Sequence, residues 1–479
     1  MASFNGGVLP DGFRVVLDPG ARWIGDGTVL VGGSPIRLLR MTAPGRQLVD
    51  RLAAGEPVPR SPAAQSLARR LLDAGLAHPR PPAPDRGSGA EVAAVVPVRN
   101  DPEGLGATLG ALSADGAFVS VVVVDDASDD PVAVKARCTA PGVTLLQRGT
   151  RGGPAAARND GWRTATAPFV AFIDANCEPQ AGWLDALLPH FADPQVAAVA
   201  PRIVSPAGDG AAQRGMMAAY EAVASPLDLG DRESIVRPRS PVAYVPTAAL
   251  VVRRSALKAL GGFDESLTVG EDVDFIWRLV AAGWTVRYDP RALVRHPIRP
   301  SWRAWLTQRY RYGTSAAALA RRHGWAVAPA VVSPWTAGAW TLAAVGQPLL
   351  AVAAGAGSTV ALTRTVPARE AARLAGLGHL RGGLALARAL RRAWWPAAVA
   401  LAVKSRRTRP ALAAAVVVPG ALEWLQRRPR LDPIRFVGLR LIDDVAYAAG
   451  VWAGCARERS GKALLPDFRS ARSRCGGPN

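Results

Sequence analysis

Lysine is nearly missing from this chain. Of its 58 basic residues only four are Lys, against 38 Asp and Glu, so the formal charge of +20 rests on Arg. A surplus of that size suits nucleic acid, an anionic membrane surface or phosphorylated substrates, and heavy Ala and Arg usage also follows from a GC-rich coding bias. Cysteine is scarce as well. Cys138, Cys177, Cys455 and Cys475 show no C-x-x-C spacing, so neither a zinc site nor a disulfide framework is signalled, and a reduced cytosolic setting fits. The first residues, MASFNGGVLPDGF, have no basic start and no apolar core, and do not read as a secretory signal. What the chain does have is length: 479 residues exceed one ordinary domain.

Composition shifts divide it. Residues 78–90, around HPRPPAPDRGSG, read as a Pro/Gly-rich linker. Ahead of it, residues 1–77 hold three short strand-like runs, FRVVLD, TVLV and IRLLRM. Two helical patterns follow at 43–52 and 62–75, with Thr42 and Ser61 placed to cap them. Hairpins with paired helices suggest a small winged-helix-like α+β domain. Residues 91–300 alternate apolar runs with helical patterns. VAAVVPV, VSVVVVDD, VTLLQR and FVAFID read as strands buried on both faces of a mostly parallel, Rossmann-like sheet. Residues 301–479 form a helical, apolar region. Its stretch 324–363 runs 40 residues without a charge, enough by length for one or two bilayer crossings. Shorter apolar runs at 393–403 and 410–422 flank KSRRTR. The expectation is membrane insertion or close association, with the Arg-rich segments on the cytoplasmic face; the plain alternative is a bundle of buried helices.

In an open parallel sheet, ligands gather at the carboxyl ends of the strands. After the first run stand Pro97, Arg99 and Asn100, and after the second Asp125 and Asp126. The Gly-rich loop RGTRGGPAAARNDGW then opens a helix carrying Arg158, and the fourth run ends in Asp174-Ala175-Asn176. Singly, each could be a solvated turn. Together they line one crevice with a cation and several carboxylates, the mixture that a nucleotide diphosphate and an oxygen-liganded metal require. Further on, GEDVDFIWRL crowds Glu271, Asp272 and Asp274 at a helix N-terminus. The macrodipole stabilises acids there and keeps them ionised, and an ionised carboxylate at a crevice can take a proton from an attacking hydroxyl. His296, ending a strand, could supply a third metal ligand. Gln308, Arg311 and Tyr312 in QRYRYG could face phosphate and sugar, or form an exposed helix face.

These ordered motifs, VVPVRN, VVVVDDASDD, GGPAAARNDG, FIDAN and GEDVDFIWRL, resemble the family 2 glycosyltransferases of the GT-A fold. The resemblance implies inverting transfer from a nucleoside diphosphate sugar. By it, Asp125 and Asp126 contact the nucleoside, Arg158 lies near the nucleotide, Asp174 holds metal and diphosphate, and Asp272 is the general base. QRYRY is similar to the Gln-x-x-Arg-Trp signature of processive members, with Tyr312 in place of Trp. The N-terminal unit, RYGTSAAALARRHG and DDVAYAAGVWAGC look like the mycofactocin-system glycosyltransferases. That narrower resemblance implies a peptide-derived redox cofactor or its precursor as acceptor, UDP-glucose as favoured donor, and a first domain that recognises peptide. Mg²⁺ or Mn²⁺ is the implied cofactor. Asn176, where Asp-x-Asp has its second acid, keeps an oxygen ligand but gives up a charge, so the metal is expected to bind weakly until the donor arrives. Two alternatives remain: a lipid-linked or cell-wall polysaccharide acceptor, and a nucleic-acid-binding protein with a degenerate transferase domain. Against the second, the candidate recognition helix carries only Arg69 and Arg70 as basic residues, and no nucleic-acid partner is expected.

Overall fold

The structure is a computed structural model in which residues 7–33, 35–82, 92–205, 215–298 and 301–468 are described. It divides into two compact units, Met1–Gly208 with Ala224–Ile298, and Asp209–Val223 with Arg299–Asn479.

The N-terminal part of the first unit holds β1 (Arg14–Leu17), β2 (Arg22–Ile24), β3 (Val29–Gly32), β4 (Arg37–Arg40), α1 (Ala43–Ala53), α2 (Pro62–Asp73) and β5 (Ala77–Arg80). Both helices begin where the sequence places them. The Thr42 and Ser61 hydroxyls accept the free N–H groups of Gly45 and Ala64, and a Pro sits in each first turn. Val49, Leu52, Ala68 and Leu71 then pack on Phe13 and Leu30. Strands β2, β3 and β4 form one antiparallel sheet, while β1 pairs with β5. That pairing moves the boundary expected at residue 77. Residues 78–80, read as linker, are strand, with His78 opposite Val16 and its Nε2 2.8 Å from Asp18. Residues 83–90 of the expected linker lie outside the described residues.

The sheet that follows is mixed. Its strands are β6 (Val92–Val98), β7 (Phe118–Asp125), β8 (Val143–Gln147), β9 (Phe169–Ile173), β10 (Glu178–Pro179), β11 (Val196–Val204), β12 (Ser234–Ile235), β13 (Ala249–Arg253) and β14 (Thr285–Arg295). Among the described residues the order is β10-β14-β11-β13-β9-β6-β7-β8, with β12 on β14. The four runs singled out in the sequence are the parallel half, β9-β6-β7-β8. Strand β13 runs antiparallel to both neighbours, β9 and β11. Helices α3 (Pro102–Asp115), α4 (Pro131–Arg137), α5 (Pro154–Thr164), α6 (Trp183–Leu187), α8 (Arg254–Leu260) and α9 (Glu271–Ala281) complete this part. Two bidentate ion pairs tie it to the N-terminal part: Arg69 to Asp193, with the shorter contact 2.6 Å, and Arg80 to Glu233, also 2.6 Å.

The second unit contains α7 (Met216–Ala224), α10 (Trp302–His323), α11 (Pro334–Ala344), α12 (Pro348–Thr363), α13 (Ala368–Arg392), α14 (Trp395–Lys404), α15 (Arg409–Arg427) and α16 (Pro433–Arg457). Helix α7 lies inside the stretch read as catalytic domain, yet residues up to Val223 belong here. Tyr220 donates to Asp443 at 2.8 Å, and the Glu221 carboxylate pairs with Arg309. Helices α10 and α16 touch backbone to backbone through Gly313 and Gly450, where a Cβ would collide with the carbonyls of Tyr447 and Tyr310.

The length that would have sufficed for one or two crossings is not gathered into one helix. No helix among the described residues is long and apolar enough to cross a membrane. Pro334 and the turn before Pro348 cut the uncharged stretch into helices of 11 and 16 residues, short of the ~20 a crossing needs.

Candidate active site

Strand order alone brings most of the expected residues together. Val98 pairs with Asp125, and the Asp126 N–H donates to the Val98 carbonyl at 2.9 Å, so the ends of β6 and β7 are level. The loops beyond them are laced to one another. Asn100 takes a left-handed φ of 56°, which lets its N–H reach Ser128 Oγ at 2.9 Å. Its side chain exchanges two 2.8 Å hydrogen bonds with Asp129. Arg99 is exposed, 3.9 Å from Asp129, and Pro97 is half-buried one turn of the pleat below.

Asp125 and Asp126 are both buried, and they differ in what holds them. Asp125 Oδ1 accepts the Ser128 N–H at 3.0 Å. The Asp126 carboxylate accepts the N–H groups of Gly152 and Gly153 at 2.7 and 2.8 Å, with Arg148 Nε 3.1 Å away. Asp126 is therefore the organiser of the Gly-rich loop, whose amides face it. Gly153, at φ 86°, is the cap from which α5 starts.

On α5, Arg158 is buried and bridges two carboxylates. Nη2 donates to Asp174 Oδ1 and Nη1 to Glu271 Oε1, each at 2.9 Å. Burial works against its charge, but Asp174 and Glu271 outweigh that and hold the guanidinium above its usual range. The next residue, Asn159, uses its whole amide. It donates to the Phe263 carbonyl and to Glu265, and accepts from the Phe263 N–H and Trp162 Nε1, at 2.7–3.1 Å. It fixes the loop that leads into α9. The sequence placed Asn159 on this helix without assigning it a part in the site; its adjacency to Arg158 was the available signal.

Three acids occupy the first turn of α9. Glu271 is taken by Arg158, and Asp274 accepts from Arg278 at 2.7 Å. Asp272 has no Arg, Lys or His within ion-pair distance among the described residues. The residue as a whole is half-buried, yet its carboxyl is enclosed. That desolvation, followed by repulsion from Glu271, pushes it up to about 7. A carboxyl tuned near neutrality has the profile of a general base.

The metal expectation meets a mixed donor set. Among the described residues no three His, Cys, Asp or Glu side chains converge to cage an ion, and Asp174 is paired with Arg158. Asp174 and Asn176 are half-buried on the turn after β9. Strand β10 brings that turn to the edge where His296 stands, since Glu178 pairs with Arg295. His296 Nδ1 lies 2.8 Å from the Pro297 carbonyl, so in the neutral ring the proton sits on Nδ1 and the lone pair on Nε2, the arrangement of a metal-ligating histidine. One carboxylate, one amide and one imidazole fit a hard cation that brings its remaining oxygens from water and phosphate.

Gln308, Arg311 and Tyr312 lie on α10, in the second unit. Gln308 donates to Tyr312 at 3.0 Å and accepts from Arg309 at 3.0 Å, while Arg311 is exposed. The buried cation of that segment is Arg309, paired with Glu221 and, at 3.0 Å, with Asp443.

Comparison with known proteins gives the family. Residues 93–261 match the model of Glycosyl transferase family 2. The chain is also 43% identical over 483 residues to the Pre-mycofactocin glycosyltransferase of Mycobacterium tuberculosis (strain ATCC 25618 / H37Rv), covering 96% of this chain and 99% of that protein. The chain belongs to glycosyl transferase family 2. A second relative is Glycosyltransferase AglE of Haloferax volcanii, 27% identical over 44% of this chain and 67% of that protein. Among solved structures, the mannosyltransferase PcManGT from Pyrobaculum calidifontis, in complex with GDP-Man and Mn2+, is 21% identical with a TM-score of 0.39. It covers 62% of this chain and 89% of that one. The enzyme is a glycosyltransferase, and its full-length match to the mycofactocin type runs through the N-terminal and helical parts as well as the catalytic sheet.

Proposed function

We propose that this glycosyltransferase moves a hexose, glucose from UDP-glucose, onto the peptide-derived redox cofactor mycofactocin or its precursor, with inversion at the anomeric carbon. The observation that carries the reading is Asp272: alone among the acids of its helix turn it lacks a cationic partner, and its carboxyl is tuned near neutrality. Asp272 takes the proton of an acceptor hydroxyl. That oxygen forms a bond to the anomeric carbon as the bond to the diphosphate breaks, and the nucleoside diphosphate leaves with the electron pair. Removing one donor that stabilises such developing charge costs roughly 3–4 kcal/mol, and Arg158 is the cation beside Asp174 that supplies it.

Pro97, Arg99, Asn100 and Asp125 line the nucleoside side, while Asp126 acts through the Gly-rich loop. Asp174, Asn176 and His296 would hold Mg²⁺ or Mn²⁺, which offsets charge on the diphosphate when bound. Glu271, Gln308, Arg311 and Tyr312 are assigned to the acceptor or diphosphate side. The N-terminal winged-helix-like part recognises the peptide-derived portion of the acceptor. Its support is the edge strand β4, where Leu38 is exposed beside Arg37 and Arg40, with exposed Ile36 just before it; extended peptides add to such edges. The protein works at the cytoplasmic face of the cell membrane, held there without crossing it.

The test is incubation with a panel of nucleotide sugars and two acceptors, the mycofactocin precursor and a polyprenyl-phosphate lipid, followed by product mass. One or more hexoses on the precursor from UDP-glucose supports the reading. Transfer to the lipid alone overturns it in favour of a polysaccharide-type acceptor.

A further inference from the structure

The hairpin formed by α11 and α12 is built as a rigid projection. Trp335 of α11 lies against Gly357 of α12, where a Cβ would press on its ring. Trp340 packs on Gly383 of α13 and donates to the His379 carbonyl at 2.8 Å. Ser358 and His379 Nε2 are 2.8 Å apart. Small residues that let helices approach so closely, with polar contacts between them, suit packing where water supplies no hydrophobic drive.

Beyond that base the hairpin is bare. No residue of α12 is buried, and near the turn Leu349 is 84% and Val352 71% exposed, with Val345 and Leu350 also open. The turn satisfies its own backbone: the N–H groups of Val345, Gly346 and Gln347 donate to Thr341, Ala343 and Leu342 at 2.9–3.1 Å. An apolar tip whose turn amides are paired in this way exposes fewer polar groups to lipid. The Leu349 and Leu350 N–H groups in the uncapped first turn of α12 are left for water or lipid headgroups to meet. Its reach is short of a full crossing. Helices of 11 and 16 residues rise ~16 and ~24 Å, against ~30 Å of hydrocarbon.

Charge names the occupant. Exposed Arg364 and Arg369 stand at the foot of the hairpin, beside half-exposed Trp335, an aromatic suited to headgroup depth. Exposed Lys404, Arg406, Arg407 and Arg409 line the junction where α14, which also buries nothing, ends and α15 begins. We propose that this hairpin, with the basic segment between α14 and α15, docks the protein on anionic phospholipid and inserts its tip into one leaflet. The proposal rests on the membrane-face reading above and is independent of the transfer reaction.

The test is flotation of the full-length protein with phosphatidylcholine vesicles, with and without phosphatidylglycerol. Wild type is expected to float with the anionic vesicles. Leu349→Glu combined with Leu350→Glu is expected to lower the bound fraction about tenfold, with thermal melting and UDP binding unchanged. Arg406→Ser with Arg407→Ser is expected to lose the preference for phosphatidylglycerol. Wild type remaining unbound with both vesicles, or a tip variant floating equally well, overturns the proposal. So does a tip variant that turns a dimer into a monomer while wild type ignores vesicles, since a second copy then covers the face. Hexose transfer in solution is read on the same samples: lost vesicle binding with intact transfer removes this surface alone, and the converse removes the transfer reading alone.

Discussion

Arg158 Nη1 lies 2.9 Å from Glu271 Oε1, a contact that joins α5 to the first turn of α9 across 113 residues of sequence. Because the other nitrogen binds Asp174, one buried guanidinium holds the strand end and the acid-bearing helix in a single cluster.

Arg158→Met removes that bridge and leaves two carboxylates facing each other. The expected cost is about 3 kcal/mol, the low end for a broken buried pair, because 32% of the Asp174 side chain stays in solvent. Urea unfolding measures it, and UDP titration of the same variant is expected to show weakened binding.

Asn159→Ala strands the Phe263 N–H and carbonyl, Trp162 Nε1 and Glu265. With each unmet group costing ~1–3 kcal/mol, and Glu265 able to turn to water, the expected loss is about 2–3 kcal/mol, seen as a lower Tm. Asn159→Asp is expected to be at least as damaging, since its acceptors would face the Phe263 carbonyl and the Glu265 carboxylate.

The raised Asp272 carboxyl gives two pH effects of fixed sign. In the unfolded chain it ionises near ~3.9, in the folded protein at about 7. The folded state therefore keeps a proton that the unfolded state has lost, and stability falls as pH rises between these values. The loss is at most ~4 kcal/mol, less because Asp272 is only half-buried. Asp272→Asn is expected to flatten this slope in thermal melts from pH 4 to 8. A base must be unprotonated to act, so kcat/KM of the wild type is expected to rise through an acidic limb with an apparent pKa near 7.

Asn176→Asp restores a second carboxylate beside Asp174. Mn²⁺ titration without nucleotide is expected to show tightening by roughly tenfold, from weak binding in the wild type. Equal binding in the two proteins removes Asn176 from the set of residues that hold the ion.

Much of this site was legible because its parts sit at the carboxyl ends of continuous Val-rich runs. The parallel pairing of β6 with β7 and β9 follows from those runs, and with it the placing of Asp125 and Asp174 at strand ends of one sheet. What escaped depends on partners distant in sequence. Strand β13 is as Val-rich as its neighbours, and nothing local says that it runs antiparallel between them. That Asp126 also accepts the Gly152 and Gly153 amides is not readable from its place beside Asp125. Arg309 was passed over for Arg311, because only the fold supplies Glu221 and Asp443 to bury it. The uncharged stretch 324–363 showed its hydropathy plainly, whereas the break into two short helices follows from Pro334, Gly346 and Pro348 acting together.

The central claim, that Asp272 is the general base, is tested most directly by Asp272→Asn with transfer rate and UDP binding measured on one preparation. The expected result is a kcat at least about a thousandfold lower with UDP binding unchanged. Retained transfer, or equal loss of transfer and binding, would contradict it.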